Sequence, residues 1–118
     1  MTTPESKVKA KVRKILASYD GMYAYWPVPS GFGNTSLDCL GCFRAHFFSI
    51  ETKAAGKKPT LRQMDELNKI ELAMGRTFVI AGESDPAFDE LCRWLNHLRD
   101  VLPNDPHLTQ DPVSRRAI

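Results

Sequence analysis

The stretch Leu37–Lys53 constrains this chain more than any other, because it reads as a β-hairpin that carries a charged cluster. Phe47, Phe48 and Ile50 favour a strand, as do the apolar residues from Leu37 to Phe43, and Arg44-Ala45 between them is a two-residue turn. Pairing about that turn sets Phe43 opposite His46 and Asp38 opposite Glu51. Residues directly opposite in an antiparallel pair share a face, roughly 5 Å apart. Lys53 joins the same face, because side chains alternate with period 2. The hairpin therefore presents two carboxylates and an ammonium together, and a slip of one residue would separate them.

Two adjacent carboxylates repel, so one holds its proton unless a cation lies between them. All-oxygen ligation suits a hard ion such as Mg²⁺, held by carboxylates, waters and a substrate phosphate. A lysine beside such an ion can orient or deprotonate a water, and the combination supports phosphodiester hydrolysis. The spacing alone favours a surface hairpin whose Glu51–Lys53 pair is a solvated ion pair, because D…ExK is common by chance.

The wider pattern adds to this. Pro29-Ser30-Gly31-Phe32-Gly33 precedes Ser36-Leu37-Asp38, followed by Leu40-Gly41-Cys42 and Phe47-Phe48-Ser49-Ile50-Glu51-Thr52-Lys53-Ala54. Gly56-Lys57-Lys58-Pro59-Thr60, Gln63, Gly75 and the apolar stretch Thr77–Ile80 come next. This series resembles the PD-(D/E)XK nuclease superfamily, and more closely the small stand-alone VRR-NUC domains of bacteriophages, from about Pro4 to Ala81. Leu37 stands where those domains usually have proline, and Arg44-Ala45-His46 lacks their turn glycine; neither departure removes a metal ligand. The resemblance implies that Asp38 and Glu51 bind Mg²⁺ or Mn²⁺ through their carboxylates and that the Thr52 carbonyl adds a ligand. It also implies that Lys53 activates water and that Gln63 supports the site. Some members carry a first-helix glutamate that reaches the metal, which makes Glu5 a further candidate ligand.

The chain has 118 residues and a net charge of +2. It makes one domain, expected over 1–102, with 103–118 a loosely ordered tail rich in proline and polar residues. No apolar run approaches the roughly 18 residues of a membrane helix, and there is no signal-peptide core. Three cysteines argue against a disulfide framework and fit a reducing cytosol, so a cytoplasmic setting is expected, that of a bacterial host if the chain is phage-encoded. Cys39-x-x-Cys42 invites zinc, but no second paired motif supplies the remaining ligands and strand alternation points the two thiols apart. Basic residues gather in two places, Lys7, Lys9, Lys11, Arg13 and Lys14, then Lys53, Lys57 and Lys58.

Thr3-Pro4-Glu5 is a helix start, with a cap, a first-turn proline and a favourable acid. Val8, Val12, Ile15, Leu16 and Tyr19 give the helix one apolar face, and Asp20-Gly21 closes it. The surrounding basic residues form either a solvated face or, chiefly through Lys11 and Lys14, a phosphate-contact surface. Met22–Trp26 is the first strand. In the Pro- and Gly-rich loop that follows, Phe32 is placed to stack on a base, while Tyr25 and Trp26 are expected to pack against the helices. The loop Ala54–Pro59 offers Lys57 and Lys58 to a phosphate.

Thr60-Leu61-Arg62-Gln63 fits a capping box, which gives Gln63 a structural role beside the one implied by resemblance, and Arg62 is an exposed phosphate candidate. Leu61, Met64, Leu67, Ile70 and Met74 form the expected buried stripe of that helix, and Gly75 ends it. Arg76–Ala81 is a strand, parallel or mixed in its pairing. The last helix starts at Asp85-Pro86 and turns Phe88, Leu91, Cys92, Leu95 and Leu98 inward, with Trp94 at the edge of the stripe.

The expected architecture is an α/β PD-(D/E)XK restriction-endonuclease-like core, ordered α-β-β-β-α-β-α with a mixed sheet. The resemblance implies a Mg²⁺- or Mn²⁺-dependent DNA endonuclease, selective for Holliday-junction or other branched DNA and working as a homodimer. Two rivals stand beside it: a nuclease-like module that grips DNA without cutting, and a partner-binding protein that uses Trp94 and the tail.

Overall fold

In the computed structural model of the chain, residues 2–28 and 37–102 are described. The elements are α1 (Pro4–Ala17), β1 (Tyr23–Tyr25), β2 (Cys39–Phe43), β3 (His46–Lys53), α2 (Leu61–Leu72), β4 (Arg76–Ala81) and α3 (Ala87–Val101). This is the expected α-β-β-β-α-β-α order. One four-stranded sheet runs β1-β2-β3-β4, antiparallel throughout except for the parallel β3–β4 pair, which α2 connects. β4 is therefore an edge strand. The Pro29–Ser36 part of the glycine-rich loop, with Phe32, and the tail 103–118 lie outside the described residues. Among the described residues no helix is long and apolar enough to cross a membrane.

The hairpin has the expected register: Phe43 pairs with His46 and Cys39 with Ile50. Both turn residues are left-handed, Arg44 at φ 51° and Ala45 at φ 67°. That is the backbone a two-residue hairpin needs to match the strand twist, and it is costly for residues with a Cβ. Ala45→Gly should accordingly raise stability by about 0.5–1 kcal/mol, measurable as a rise in the urea midpoint with an unchanged slope. A lower midpoint would show that the alanine methyl contributes packing that outweighs the backbone strain.

Alternation along the strands separates two faces. Cys39, Phe43, Phe48, Ile50, Phe78 and Ile80 join Val8, Val12 and Leu16 of α1 and Phe88, Leu91, Leu95 and Leu98 of α3 in the core. Trp94 belongs to this side too, its ring tilted against those of Phe48 and Phe78. α1 begins as expected, the Thr3 side chain accepting from the Ser6 amide at 3.1 Å. It ends earlier than Asp20-Gly21, at Ala17 with Ser18 as cap, so Tyr19 packs from the connection, its hydroxyl 2.5 Å from Asn96 Oδ1. The first strand is likewise shorter than Met22–Trp26. α3 is anchored by Asp85, which accepts from the amides of Ala81 and Ala87.

Among the described residues α2 is the element that covers the second face, and here the expected stripe fails. Only Leu67 is buried, and Ile70 is half-buried; Leu61 is 90% exposed, Met74 93% and Met64 46%. A single helix touches a sheet along one line, and the line used is Gln63–Leu67–Ile70. The helix is rotated from its most apolar face, and a polar residue takes one of the inward positions. Its C-terminal left-handed residue is Met74 (φ 71°) rather than Gly75. Gly75 is needed for closeness instead: a Cβ there would lie 2.6 Å from Ile70 Cγ2 and 3.1 Å from Phe47 Cδ1.

Beyond α2, no described element covers the β1–β2 end of this face. Tyr23 is 64% exposed and Tyr25 53%, so Tyr25 does not pack against the helices as expected. Trp26 does pack, half-buried with the Arg13 guanidinium 4.1 Å above its ring.

Candidate metal and catalytic site

The open end of the β2–β3 hairpin gathers the charged groups. Asp38 lies one residue before β2, so the register that pairs Cys39 with Ile50 sets it across from Glu51. Its Oδ2 accepts twice from Thr52, from the amide at 2.8 Å and the hydroxyl at 2.6 Å. The Asp38 amide in turn donates to Glu51 Oε1 at 3.1 Å. The two acids thus hold each other through the backbone rather than by sharing a proton.

Glu51 is buried, with 1% of its surface exposed, which removes the reading of a solvated surface pair. Its Oε2 meets the Lys53 ammonium at 3.2 Å and accepts from Gln63 Nε2 at 2.7 Å. Burial raises the Glu51 pKa above the usual carboxylate range, and the Asp38 charge raises it further, while Lys53 opposes both. Lys53 itself is enclosed, its side chain only 16% exposed, and so is not the exposed lysine that the sequence suggests.

Gln63 carries the structural and the site role at once. Its Oε1 accepts from the Thr60 amide at 2.9 Å while Thr60 Oγ1 accepts from the Gln63 amide at 3.2 Å, completing the capping box. The other end of the same amide reaches Glu51. A terminal amide has one acceptor and one donor end, and each is used.

Glu5, in the first turn of α1, brings a carboxylate oxygen to the same place: one oxygen each of Glu5, Asp38 and Glu51 lies within 4.8 Å of the others. Three convergent carboxylates, two from the hairpin end and one from the first turn of α1, are a hard, all-oxygen donor set of the kind that Mg²⁺ and Mn²⁺ take. The residues present therefore fit such an ion.

The expected DNA contacts are more scattered. Lys57 and Lys58 are exposed in the connection after β3, and Arg62 is exposed beside Gln63 in the first turn of α2. Lys14 is exposed on α1. Lys11 is tied down, donating to the Glu83 carbonyl at 2.9 Å with its ammonium 4.2 Å from the Phe88 ring centroid, which holds it to the β4–α3 connection. His46 is exposed at the turn, its Nδ1 2.8 Å from the Arg44 carbonyl. Cys39 is buried and Cys42 half-buried on opposite faces, and burial pushes the Cys39 thiol up to about 12.

Two contributors escaped the sequence reading. The Thr52 hydroxyl clamps Asp38, and Lys9 places its ammonium 3.4 Å from Asp38 Oδ1. Lys9 is one helical turn from Glu5, and that i,i+4 spacing was the available signal, hidden within a run of basic residues.

Comparison with protein families, curated proteins and solved structures returned no match for this chain.

Proposed function

We propose that the chain is a Mg²⁺- or Mn²⁺-dependent DNA endonuclease with a PD-(D/E)XK core of the VRR-NUC type. The observation that supports this reading is the meeting of Asp38, Glu51, Lys53 and Gln63 at one hairpin end, in the order of that superfamily's motif. Asp38, Glu51 and Glu5 would hold the ion through their carboxylates, joined by the Thr52 carbonyl, and the chemistry it would supply is polarisation of the scissile phosphate and a more acidic attacking water. The Thr52 amide and hydroxyl take up Asp38 Oδ2, so Oδ1, beside the Lys9 ammonium, is the oxygen it can turn to an ion. Gln63 and the Asp38 amide hold Glu51 in one rotamer. Lys53, on the same side of Glu51, orients the water and stabilises negative charge on the phosphate. Lys57, Lys58 and Arg62 flank the site as phosphate contacts, with Lys14 further along α1; Lys11 would have to leave the Glu83 carbonyl to join them.

The substrate is branched DNA cut by a homodimer in a cytoplasmic setting. The open aromatic face of Tyr23, Tyr25 and Phe47 supports an assembly, because exposed apolar patches mark interaction surfaces. One site per chain makes a C₂ dimer the simplest device for symmetric cutting of two strands. Light scattering tests the dimer; a monomer at working concentration would overturn symmetric resolution. Cleavage of labelled single-stranded, duplex, flap, splayed-arm and four-way-junction DNA in Mg²⁺, Mn²⁺ or EDTA tests the nuclease. Metal-dependent products from a branched substrate are expected. Salt-sensitive binding with no product would favour a non-cleaving module instead, since phosphate contacts weaken steeply with salt.

A further inference from the structure

Resting on the metal site proposed above, we infer that Lys9 is a resident cation that occupies the position of the divalent ion's charge in the metal-free protein and is displaced when the ion binds. The argument starts from the two oxygens of Asp38. Oδ2 already accepts two hydrogen bonds from Thr52, at 2.8 and 2.6 Å, and is saturated. Oδ1 is therefore the oxygen that Asp38 can offer a metal, and Lys9 Nζ lies on it at 3.4 Å.

The position of Lys9 is fixed rather than incidental. It projects from α1 one turn beyond Glu5, between Val8 and the core residue Val12, so the helix that supplies the third carboxylate also supplies the ammonium. Three carboxylate oxygens within 4.8 Å of one another repel strongly unless positive charge is nearby. Lys53 answers Glu51 from one side and Lys9 answers Asp38 from the other, with side-chain exposures of 16% and 35%. A divalent ion on Oδ1 would repel the ammonium beside it, so the ion and Lys9 compete. Lys53 bonds Glu51 Oε2 and has a different place, so it remains.

The competition has a defined sign. Removing Lys9 takes away a competitor and should tighten divalent binding, whereas removing a lysine that acts as a metal-site support or a merely structural residue would weaken it or leave it unchanged. Titration calorimetry of Mn²⁺ into wild type, Lys9→Met and Lys9→Arg should show the Met variant binding about 1.5- to 5-fold tighter, the range that a partly exposed ion pair allows. Lys9→Arg, which keeps the charge, should stay near wild type. Equal or weaker binding by Lys9→Met overturns the inference while leaving the metal site standing; a wild type that takes up no Mn²⁺ overturns the site as well.

A second measurement needs no variant. In wild type carrying ¹³C-labelled lysine, the Lys9 ε-methylene signal should move during a Mg²⁺ titration along the same saturation curve as the metal-binding heat. A Lys9 signal that stays fixed through saturation would overturn the displacement.

Discussion

Lys53→Ala should lose metal-dependent cleavage by about 10²- to 10⁴-fold, the usual contribution of a positioned acid–base group. The variant should still bind Mn²⁺, because Asp38, Glu51 and Glu5 are untouched. Stability should fall modestly. Lys53 is largely enclosed against Glu51, and a hydrogen bond to a charged partner contributes roughly 1.5–3 kcal/mol. Glu51 limits the loss by taking a proton, which its raised pKa already favours. Single-turnover cleavage at saturating DNA separates chemistry from binding, and circular dichroism verifies the fold. A folded Lys53→Ala protein that cuts at the wild-type rate would remove Lys53 from the mechanism.

Glu51→Gln should act in opposite directions on metal binding and on the metal-free fold. One of the two central carboxylates is lost, so Mn²⁺ affinity should fall by roughly 100-fold, at or above the upper end seen for removal of metal-site supporting groups. In EDTA the variant should melt higher than wild type near neutral pH. The sign follows from proton linkage. The folded pKa of Glu51 lies above its unfolded value, so the folded state holds the proton more tightly. Its stabilising contribution is complete below the unfolded pKa and is lost as pH rises through the folded one. Glutamine is uncharged like the protonated acid and so escapes that loss, offset in part because its NH2 faces either the Asp38 amide or the Gln63 and Lys53 donors. Its advantage should be absent in acid and should grow toward neutral pH. Saturating Mn²⁺ should reverse the order of melting temperatures, because the ion stabilises only the form that binds it. Thermal melts from pH 4 to pH 8, with EDTA and with Mn²⁺, read both effects. A variant that melts lower than wild type in EDTA at neutral pH would show that the charged carboxylate is a net support of the fold.

The hairpin and its neighbours were legible because each rests on short-range rules. The apolar runs around Arg44-Ala45 set the register, and the register placed Asp38 across from Glu51. Thr3-Pro4-Glu5 and Thr60-x-x-Gln63 are cap signals, and both helices begin there. What failed was tertiary. The apolar positions 61 and 64 of α2, with 74 just past its end, predict a buried stripe, yet how many of them are covered depends on how much sheet lies beneath, and the helix lies mainly over β3 and β4. Tyr25 was expected against the helices for the same reason, since nothing local reveals which sheet face lacks a second layer. In the site, the Asp38–Glu51–Lys53 grouping followed from period-2 alternation. Lys9 and the Thr52 hydroxyl did not, because their partners are set by how α1 lies on the sheet and by one rotamer.

The double engagement of Gln63 makes the start of α2 and the seat of Glu51 a single mechanical unit. When the first turn of the helix frays, the Thr60 amide and the Glu51 carboxylate lose a shared partner in the same instant, and Glu51 is left to the Lys53 ammonium and the Asp38 amide. Seen from the other direction, anything that pins Glu51 also latches the helix shut. Amide exchange at Thr60 and Gln63 is thus a readout, on the backbone, of whether the carboxylates several ångströms away are in use.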